Sequence, residues 1–168
     1  MAIFKHGNMW DVYDDVDLFC ITTNSTVKKN GALVMGKGIA KEARDKFPGI
    51  DQYFGTKIQL LGRTDKHYYL ITNPNWAVFK PAKIAAFQVK YHYSSRADID
   101  LIIMSTIKLL AFLSEQRGTV SVALNFPGIG NGRLPMCRVY NIVKYLPDTV
   151  SIWTKQPVDL TPCMEEND

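Results

Sequence analysis

Two short stretches of the chain carry residue types suited to holding an anion. Gly36-Lys37-Gly38 lies within Gly31-Ala32-Leu33-Val34-Met35-Gly36-Lys37-Gly38-Ile39-Ala40, and Phe126-Pro127-Gly128-Ile129-Gly130-Asn131-Gly132 is a second glycine-rich run. Glycines let backbone amides approach a phosphate closely, and a helix that follows adds the positive end of its dipole. A lone Gly-x-Gly is most simply a tight turn. Two such loops, each leaving an apolar segment and preceding a helical pattern, suggest two sides of a diphosphate cradle at the strand ends of an α/β sheet. Lys37 offers a phosphate a point charge, Arg133 a bidentate fork, and Asn131 an amide to donate or to position a water. Neither loop ends in Gly-Lys-Ser/Thr, and no Gly-x-Gly-x-x-Gly follows the first strand, which disfavours a nucleoside triphosphatase and a Rossmann dehydrogenase.

Rigid elements have to hold these loops. A short strand is expected over residues 2–5, ended by His6-Gly7-Asn8, and a second over 17–23. The core of the latter, Leu18-Phe19-Cys20-Ile21, is apolar throughout instead of alternating, the pattern of a strand covered on both faces. A helix running through Ala40, Ala43 and Phe47 is closed by Pro48-Gly49. Tyr68-Tyr69-Leu70-Ile71 reads as a strand stopped by Thr72-Asn73-Pro74-Asn75, and 83–93 as a further strand or extended arm. Ser94 or Ser95 is expected to cap a helix in which Ile99, Ile102, Ile103, Ile107, Leu110 and Leu113 recur at helical spacing. A strand over 120–124, a helix over 136–146 and a last strand over 150–153 complete the pattern. Strand, loop and helix alternate, which predicts a three-layer α/β/α domain with a mixed, largely parallel central sheet. The domain is expected over 1–160, followed by a polar C-terminal tail, 161–168, that frays.

Bulk properties narrow the class. A length of 168 residues suits one compact domain, and 46% hydrophobic with 21% charged residues argues against extensive disorder. The net charge of +4 is mild and no run of five or six basic residues occurs, so nucleic-acid binding is not signalled, although an anionic small ligand is favoured. Cys20, Cys137 and Cys163 are widely spaced with no C-x-x-C pair, so neither zinc nor a disulfide is expected. No metal or cofactor is called for. Without a signal-peptide pattern or an apolar run of roughly 18 residues, the expectation is a cytoplasmic protein with no membrane partner.

Gly7-Asn8-Met9, then Asp17 through the buried strand to Asn24, then Gly31 to Ala40, resemble the macrodomain pattern of Gly-Asp-Ile, a strand ending in Asn, and a glycine-rich ribose loop. Phe126 to Gly132 resembles that family's phosphate-binding loop. Met35-Gly36-Lys37-Gly38-Ile39-Ala40 with Lys46-Phe47-Pro48 is most similar to a compact branch. That branch includes DNA ADP-ribosylation antitoxins, the terminal ADP-ribose protein glycohydrolase and a yeast ADP-ribose 1''-phosphate phosphatase.

The resemblance implies a three-layer macrodomain whose ligand is ADP-ribose or a related nucleotide, free or carried on an ADP-ribosylated macromolecule. Asn8 takes the place of the Asp that accepts from the adenine amino group, beside Met9, and Asn24 matches the Asn that meets the distal ribose. Met35, Gly36, Lys37, Gly38 and Ile39 would wrap the distal ribose and diphosphate, and Pro127, Gly128, Ile129, Gly130, Asn131 and Gly132 would close over the phosphates. Trp76, with Phe79, follows a strand end where an aromatic stacks on a base or ribose, or forms a hydrophobic lid. His67 and His92 flank strands and are most simply structural.

Chemistry is harder to read. In the branch's glycohydrolases a lysine follows the strand that 68–71 resembles and forms or assists a covalent step. Here Thr72-Asn73-Pro74-Asn75-Trp76 follows, with Lys80 as the nearby substitute, and Gly132 leads into Arg133-Leu134-Pro135 where the glycohydrolase has an acid. The catalytic candidates are therefore Asn24, Asn131 and Lys80. The functions in view are ADP-ribose binding with slow hydrolysis of ADP-ribose 1''-phosphate, a non-catalytic reader or sequestering module, and a glycohydrolase with a displaced lysine.

Overall fold

Strand β2 (Leu18–Thr23) shows why the domain has three layers: Leu18 and Cys20 point into one apolar core, Phe19 and Ile21 into another. The computed structural model describes residues 1–73 and 83–165. Around β2 stand β1 (Ile3–His6), β3 (Leu70–Ile71), β4 (Ile84–Gln88), β5 (Val122–Asn125) and β6 (Val150–Thr154). The sheet order is β1-β6-β5-β2-β4-β3. Every neighbouring pair is parallel except β3 with β4. The mixed, largely parallel sheet expected from the alternating pattern is thus the one observed.

On one face, α1 (Gly38–Lys46) and α2 (Ile50–Leu60) bury Ala40, Ala43, Ile50, Phe54 and Ile58 against Phe19 and Ile21. On the other, α3 (Ile99–Glu115) and α4 (Met136–Val143) bury Ile102, Leu109, Val139 and Val143 against Leu18, Cys20 and Leu124. Burial of such side chains at roughly 25 cal/mol per Å² of apolar surface is the main force holding the layers together. Desolvation drives the Cys20 thiol pKa far upward, so this cysteine is an inert core residue.

Several expectations need correction. Pro48-Gly49 follows the end of α1 as expected, but an unexpected second helix begins there: Gly49, at φ 99°, is the turn from which α2 starts, with Ile50, Phe54 and Ile58 forming its buried stripe. The cap of α3 is Asp98, whose carboxylate accepts from Leu101 N–H at 3.0 Å, and Ser94 and Ser95 lie in the preceding turn. Only Leu70 and Ile71 of the expected strand over 68–71 pair in the sheet, because Tyr69 has φ 67° and breaks the extended path. Residues Thr161–Glu165 form a short helix, α5, instead of a frayed tail. Cys163 of α5 is buried and joined to Cys137 of α4 by a disulfide, with 4.8 Å between their Cα atoms, against the expectation of unlinked cysteines. Spacing along the chain could not show that α5 packs on α4. Trp76, Phe79 and Lys80 lie outside the described residues.

Candidate functional site

The five parallel strands end on one edge of the sheet, and the segments leaving those ends define the site. Asn8 comes after β1, the loop 126–135 after β5, the loop 24–37 after β2, and Lys90 after β4. From β1 to β4 is four strand spacings, about 19 Å at the usual inter-strand distance. That edge is long enough for an extended, dinucleotide-sized ligand.

A crevice opens between β2 and β5. Their ladder runs from Leu18 opposite Val122 to Cys20 opposite Leu124. Beyond it the Asn125 side chain bridges the gap, accepting from Thr22 N–H at 3.0 Å and donating to Thr22 Oγ1 at 2.8 Å. The chain then leaves β2 for α1 on one face and β5 for α4 on the other, the switch point at which open α/β sheets bind ligands.

The first loop is braced from below. Asn24 is buried; its Nδ2 donates to the Val34 carbonyl at 2.9 Å and its Oδ1 accepts from Thr26 N–H at 2.9 Å. A bridge between Val27 and Leu33 closes the base. There Gly55 of α2 packs so tightly that a Cβ on it would overlap the Gly31 carbonyl. Met35 is buried and Ile39 half-buried in the core, whereas Gly36, Lys37 and Gly38 form the exposed rim.

The second loop has the same division. Pro127, Gly128 and Gly132 are buried, Ile129 is half-buried, and Gly130 and Asn131 are exposed. A Cβ on Gly128 would lie 2.6 Å from Ile102, and one on Gly132 would lie 2.8 Å from Ala97, so both glycines permit close packing on the start of α3. Gly36 and Gly130 face open space. The two rims meet: a Cβ on Gly38 would stand 3.6 Å from Asn131 Nδ2.

Asn8 is exposed, and its Oδ1 accepts from Trp10 N–H at 3.1 Å, capping the 3₁₀ helix Met9–Asp15; Met9 is buried in the core. Of the residues expected to touch ligand, the structure brings Gly36, Lys37, Gly38, Gly130 and Asn131 together. It assigns Met9, Met35, Pro127, Gly128 and Gly132 to the framework behind them.

The electrostatics centre on a residue that the sequence motifs did not single out. Burial, then the positive charges of Lys37 and Arg133, hold the Lys90 ammonium below its ordinary pKa of 10.5. Lys90 Nζ donates to the Tyr93 carbonyl at 2.9 Å, and Arg96 donates to the Arg133 carbonyl at 2.6 Å. Among the described residues no carboxylate forms an ion pair with Lys37, Lys90 or Arg133. Lys90 thus feels two further cations, and none of the three is ion-paired among the described residues, an arrangement that would favour an anion. The backbone of Lys90 runs beside Asn24: Val89 N–H donates to the Thr23 carbonyl and Ser25 N–H to that of Tyr91, both at 3.0 Å. The signal was present in the sequence, since Ile84-Ala85-Ala86-Phe87 is an unbroken apolar run of the kind a doubly covered strand shows. His92 is tied to Ser94 Oγ at 2.7 Å through Nδ1, and His67 stacks on Tyr69 with 4.7 Å between centroids. A cavity of about 120 Å³ beside β1 is lined by Phe4, Phe126, Ile152 and Leu160 together with Lys5, His6 and Thr154, and shares no residue with this cluster.

Comparison with known proteins accords with this arrangement. No family model and no curated protein matches the sequence. Among solved structures the chain is similar to the macrodomain of Thermus aquaticus DarG, with 26% identity and a TM-score of 0.65 over 94% of this chain and 99% of that one. The Mycobacterium tuberculosis DarG macrodomain is 22% identical, with a TM-score of 0.65 over 93% of this chain and 99% of that one. Thermosipho africanus DarTG, solved in complex with ADP-ribose, is 18% identical, with a TM-score of 0.65 over 90% of this chain and 42% of the longer one. The chain has the macrodomain fold. Its likeness is to the DarG-like branch of that family.

Proposed function

We propose that the trough along the sheet edge binds ADP-ribose, with adenine near Asn8, the diphosphate between the loop rims at Gly36–Gly38 and Gly130–Asn131, and the distal ribose toward Lys90. The observation that carries this reading is the meeting of two glycine rims at the β2/β5 switch point beside three cations that no carboxylate neutralises among the described residues. A diphosphate fits both halves of that arrangement, because backbone amides and fixed positive charge act on the same anion. The ADP-ribose seen in the Thermosipho africanus complex supports the same ligand. A calorimetric titration with ADP-ribose beside ATP and NAD tests it: micromolar binding of ADP-ribose, well above the other two, is expected, and equal or absent binding overturns it.

A second reading, removal of ADP-ribose from a macromolecule, is favoured by Lys90. The resemblance puts the glycohydrolase lysine after the strand matched by 68–71, whose following loop with Lys80 lies outside the described residues; Lys90 instead follows β4, the parallel neighbour of β2, and is offered on its position and electrostatics alone. A lysine whose pKa is depressed supplies a neutral amine at lower pH than an ordinary one. Its nitrogen attacks the anomeric carbon as the bond to the attached group breaks, the departing atom takes a proton from water, and hydrolysis of the new carbon–nitrogen bond restores the lysine. Hydrolysis of ADP-ribose 1''-phosphate by a positioned water is the competing activity. Asn24 suits it poorly, since both ends of its amide already bond backbone. Incubation with ADP-ribosylated DNA, ADP-ribosylated protein and ADP-ribose 1''-phosphate, with Lys90→Ala as control, separates them: release of ADP-ribose lost in the variant supports the lysine, and phosphate release alone overturns it.

A further inference from the structure

Behind the site lies a buried polar cluster that the loops do not explain, centred on Gln88, the last residue of β4. Its four predecessors, Ile84, Ala85, Ala86 and Phe87, are apolar, yet at this position an amide with 0% exposure stands in the core. Burying an amide costs free energy unless every donor and acceptor is paired. Here all are. Oε1 accepts from Tyr68 N–H at 2.7 Å and Tyr69 N–H at 3.0 Å, while Nε2 donates to the carbonyls of Lys66 at 3.0 Å and Lys90 at 3.3 Å. The backbone joins in: Gln88 N–H donates to the Tyr69 carbonyl at 2.8 Å, and Ser105 Oγ donates to the Gln88 carbonyl at 2.7 Å.

Two features show that the cluster does more than fill space. Tyr69 is held at φ 67°, a conformation that bulky residues avoid at a cost of about 1–3 kcal/mol unless their surroundings impose it. Gln88 bonds both its N–H and, through the backbone, its carbonyl. Tyr68, held by the same Oε1, extends its hydroxyl to the other side of the site, donating to the Asn24 carbonyl at 2.7 Å and pairing with Thr23 Oγ1. One amide therefore reaches the main chain of Lys90 in one direction and, through Tyr68, the Asn24 end of β2 in the other.

We infer that Gln88 is a positioning residue, whose side-chain amide fixes the backbone of Lys90 relative to Asn24 and so sets where the lysine amine stands over the distal end of the trough. The catalytic part of this rests on the Lys90 reading above. The placement of Lys90 does not.

Two substitutions test it. Gln88→Met keeps length and volume and removes the amide; Gln88→Glu keeps the acceptor for the Tyr68 and Tyr69 N–H groups but turns a carboxylate toward the Lys66 and Lys90 carbonyls. For each, folding is checked by thermal unfolding, ADP-ribose affinity by calorimetry, and kcat and KM by ADP-ribose release from modified DNA and protein. The Lys90 side-chain ¹³Cε resonance, identified by its loss in Lys90→Arg, is also recorded. In folded Gln88→Met, kcat is expected to fall at least tenfold, KM and ADP-ribose affinity to change by no more than the tenfold expected on losing the Lys90 charge, and the Lys90 resonance to move. An unchanged kcat with an unmoved resonance overturns the inference. Should the Met variant fail to fold, Gln88→Glu is read by the same criteria. If the parent protein releases no ADP-ribose from either substrate, the glycohydrolase reading fails, and the resonance alone decides Gln88: movement supports its positioning role and constancy overturns it.

Discussion

Gly38 and Asn131 face each other across the crevice, and a Cβ on the glycine would stand 3.6 Å from the asparagine Nδ2. Gly38 begins α1 on one side of the sheet, while Asn131 sits in the turn that leads to α4 on the other. Their closeness sets the two loops beside each other at one place on the sheet edge rather than as two separate turns. An anion held there is approached from both sides by amides, with the N-terminus of α1 adding its partial positive charge. Each loop is thin at its rim and braced at its base, which separates substitutions that remove binding from those that remove stability.

Gly130 lies on the rim. It has φ 64°, and no atom lies within 4 Å of a Cβ placed on it, so a side chain there projects into open space. In Gly130→Val the β-branched residue resists the left-handed conformation at a cost of about 1–2 kcal/mol, and the protein is expected to remain folded. ADP-ribose binding is expected to be lost because the methyls occupy phosphate space. Calorimetry on the folded variant checks this, and unchanged affinity would remove the second loop from the cradle.

Gly55 lies at the base. A Cβ there would overlap the Gly31 carbonyl and stand 2.8 Å from Leu33 N, both backbone atoms of the first loop. Because backbone cannot swing aside as a side-chain tip does, Gly55→Ala is expected to destabilise the fold by about 3 kcal/mol, at the upper end of overpacking penalties. Urea unfolding measures it. A loss under about 1 kcal/mol, the lower end of those penalties, would show that α2 and the loop move apart easily.

Asn8 tests the adenine end. Its Oδ1 already caps the Met9–Asp15 helix through Trp10 N–H, and a carboxylate keeps that bond with one oxygen while presenting the other to the base. Asn8→Asp is expected to leave the melting temperature within about 2 °C and to sharpen discrimination of adenosine over inosine ligands by roughly tenfold, the equivalent of one hydrogen bond. Inosine presents a carbonyl that repels the carboxylate. Equal preference in both proteins would take Asn8 out of the base site.

The layered fold was legible because Leu18-Phe19-Cys20-Ile21 is apolar on both faces, and the two loops because glycine is frequent where few other residues serve. What escaped were features set by packing in space. No helix was expected over α2, so Gly55 draws no notice until the Gly31 carbonyl is seen beneath it, and Cys137 and Cys163 look unrelated until α5 docks on α4. Lys90 was hidden for a related reason. Tyr68-Tyr69-Leu70-Ile71 reads as a strand and 83–93 as a further strand or extended arm, and only the sheet order shows which one lies beside β2.

The roles proposed for Lys90 predict opposite dependences of binding and chemistry on pH. Burial and the charges of Lys37 and Arg133 disfavour its ammonium in the folded protein, so its folded pKa lies below the ordinary 10.5. Below the folded pKa the native state carries an unfavourable charge that the unfolded chain does not feel. That cost is relieved as pH rises from the folded pKa toward 10.5, where the unfolded chain still holds the proton and the native state does not. A bound diphosphate reverses the balance, because it attracts the ammonium. ADP-ribose binding should therefore take up protons, and its affinity should weaken as pH rises through the folded pKa of the free protein. Lys90→Met is expected to bind about tenfold more weakly near neutral pH, the loss of one modest charge-assisted contact, and to show no such fall. Lys90→Arg, always charged, is expected to bind tightly across the range. Cleavage by an amine nucleophile needs the neutral form, so kcat for ADP-ribose release should rise over the interval in which affinity falls. Affinity that does not change with pH in the parent protein would place Lys90 outside the reach of the diphosphate, and a kcat that falls with rising pH would show that its amine is not the nucleophile.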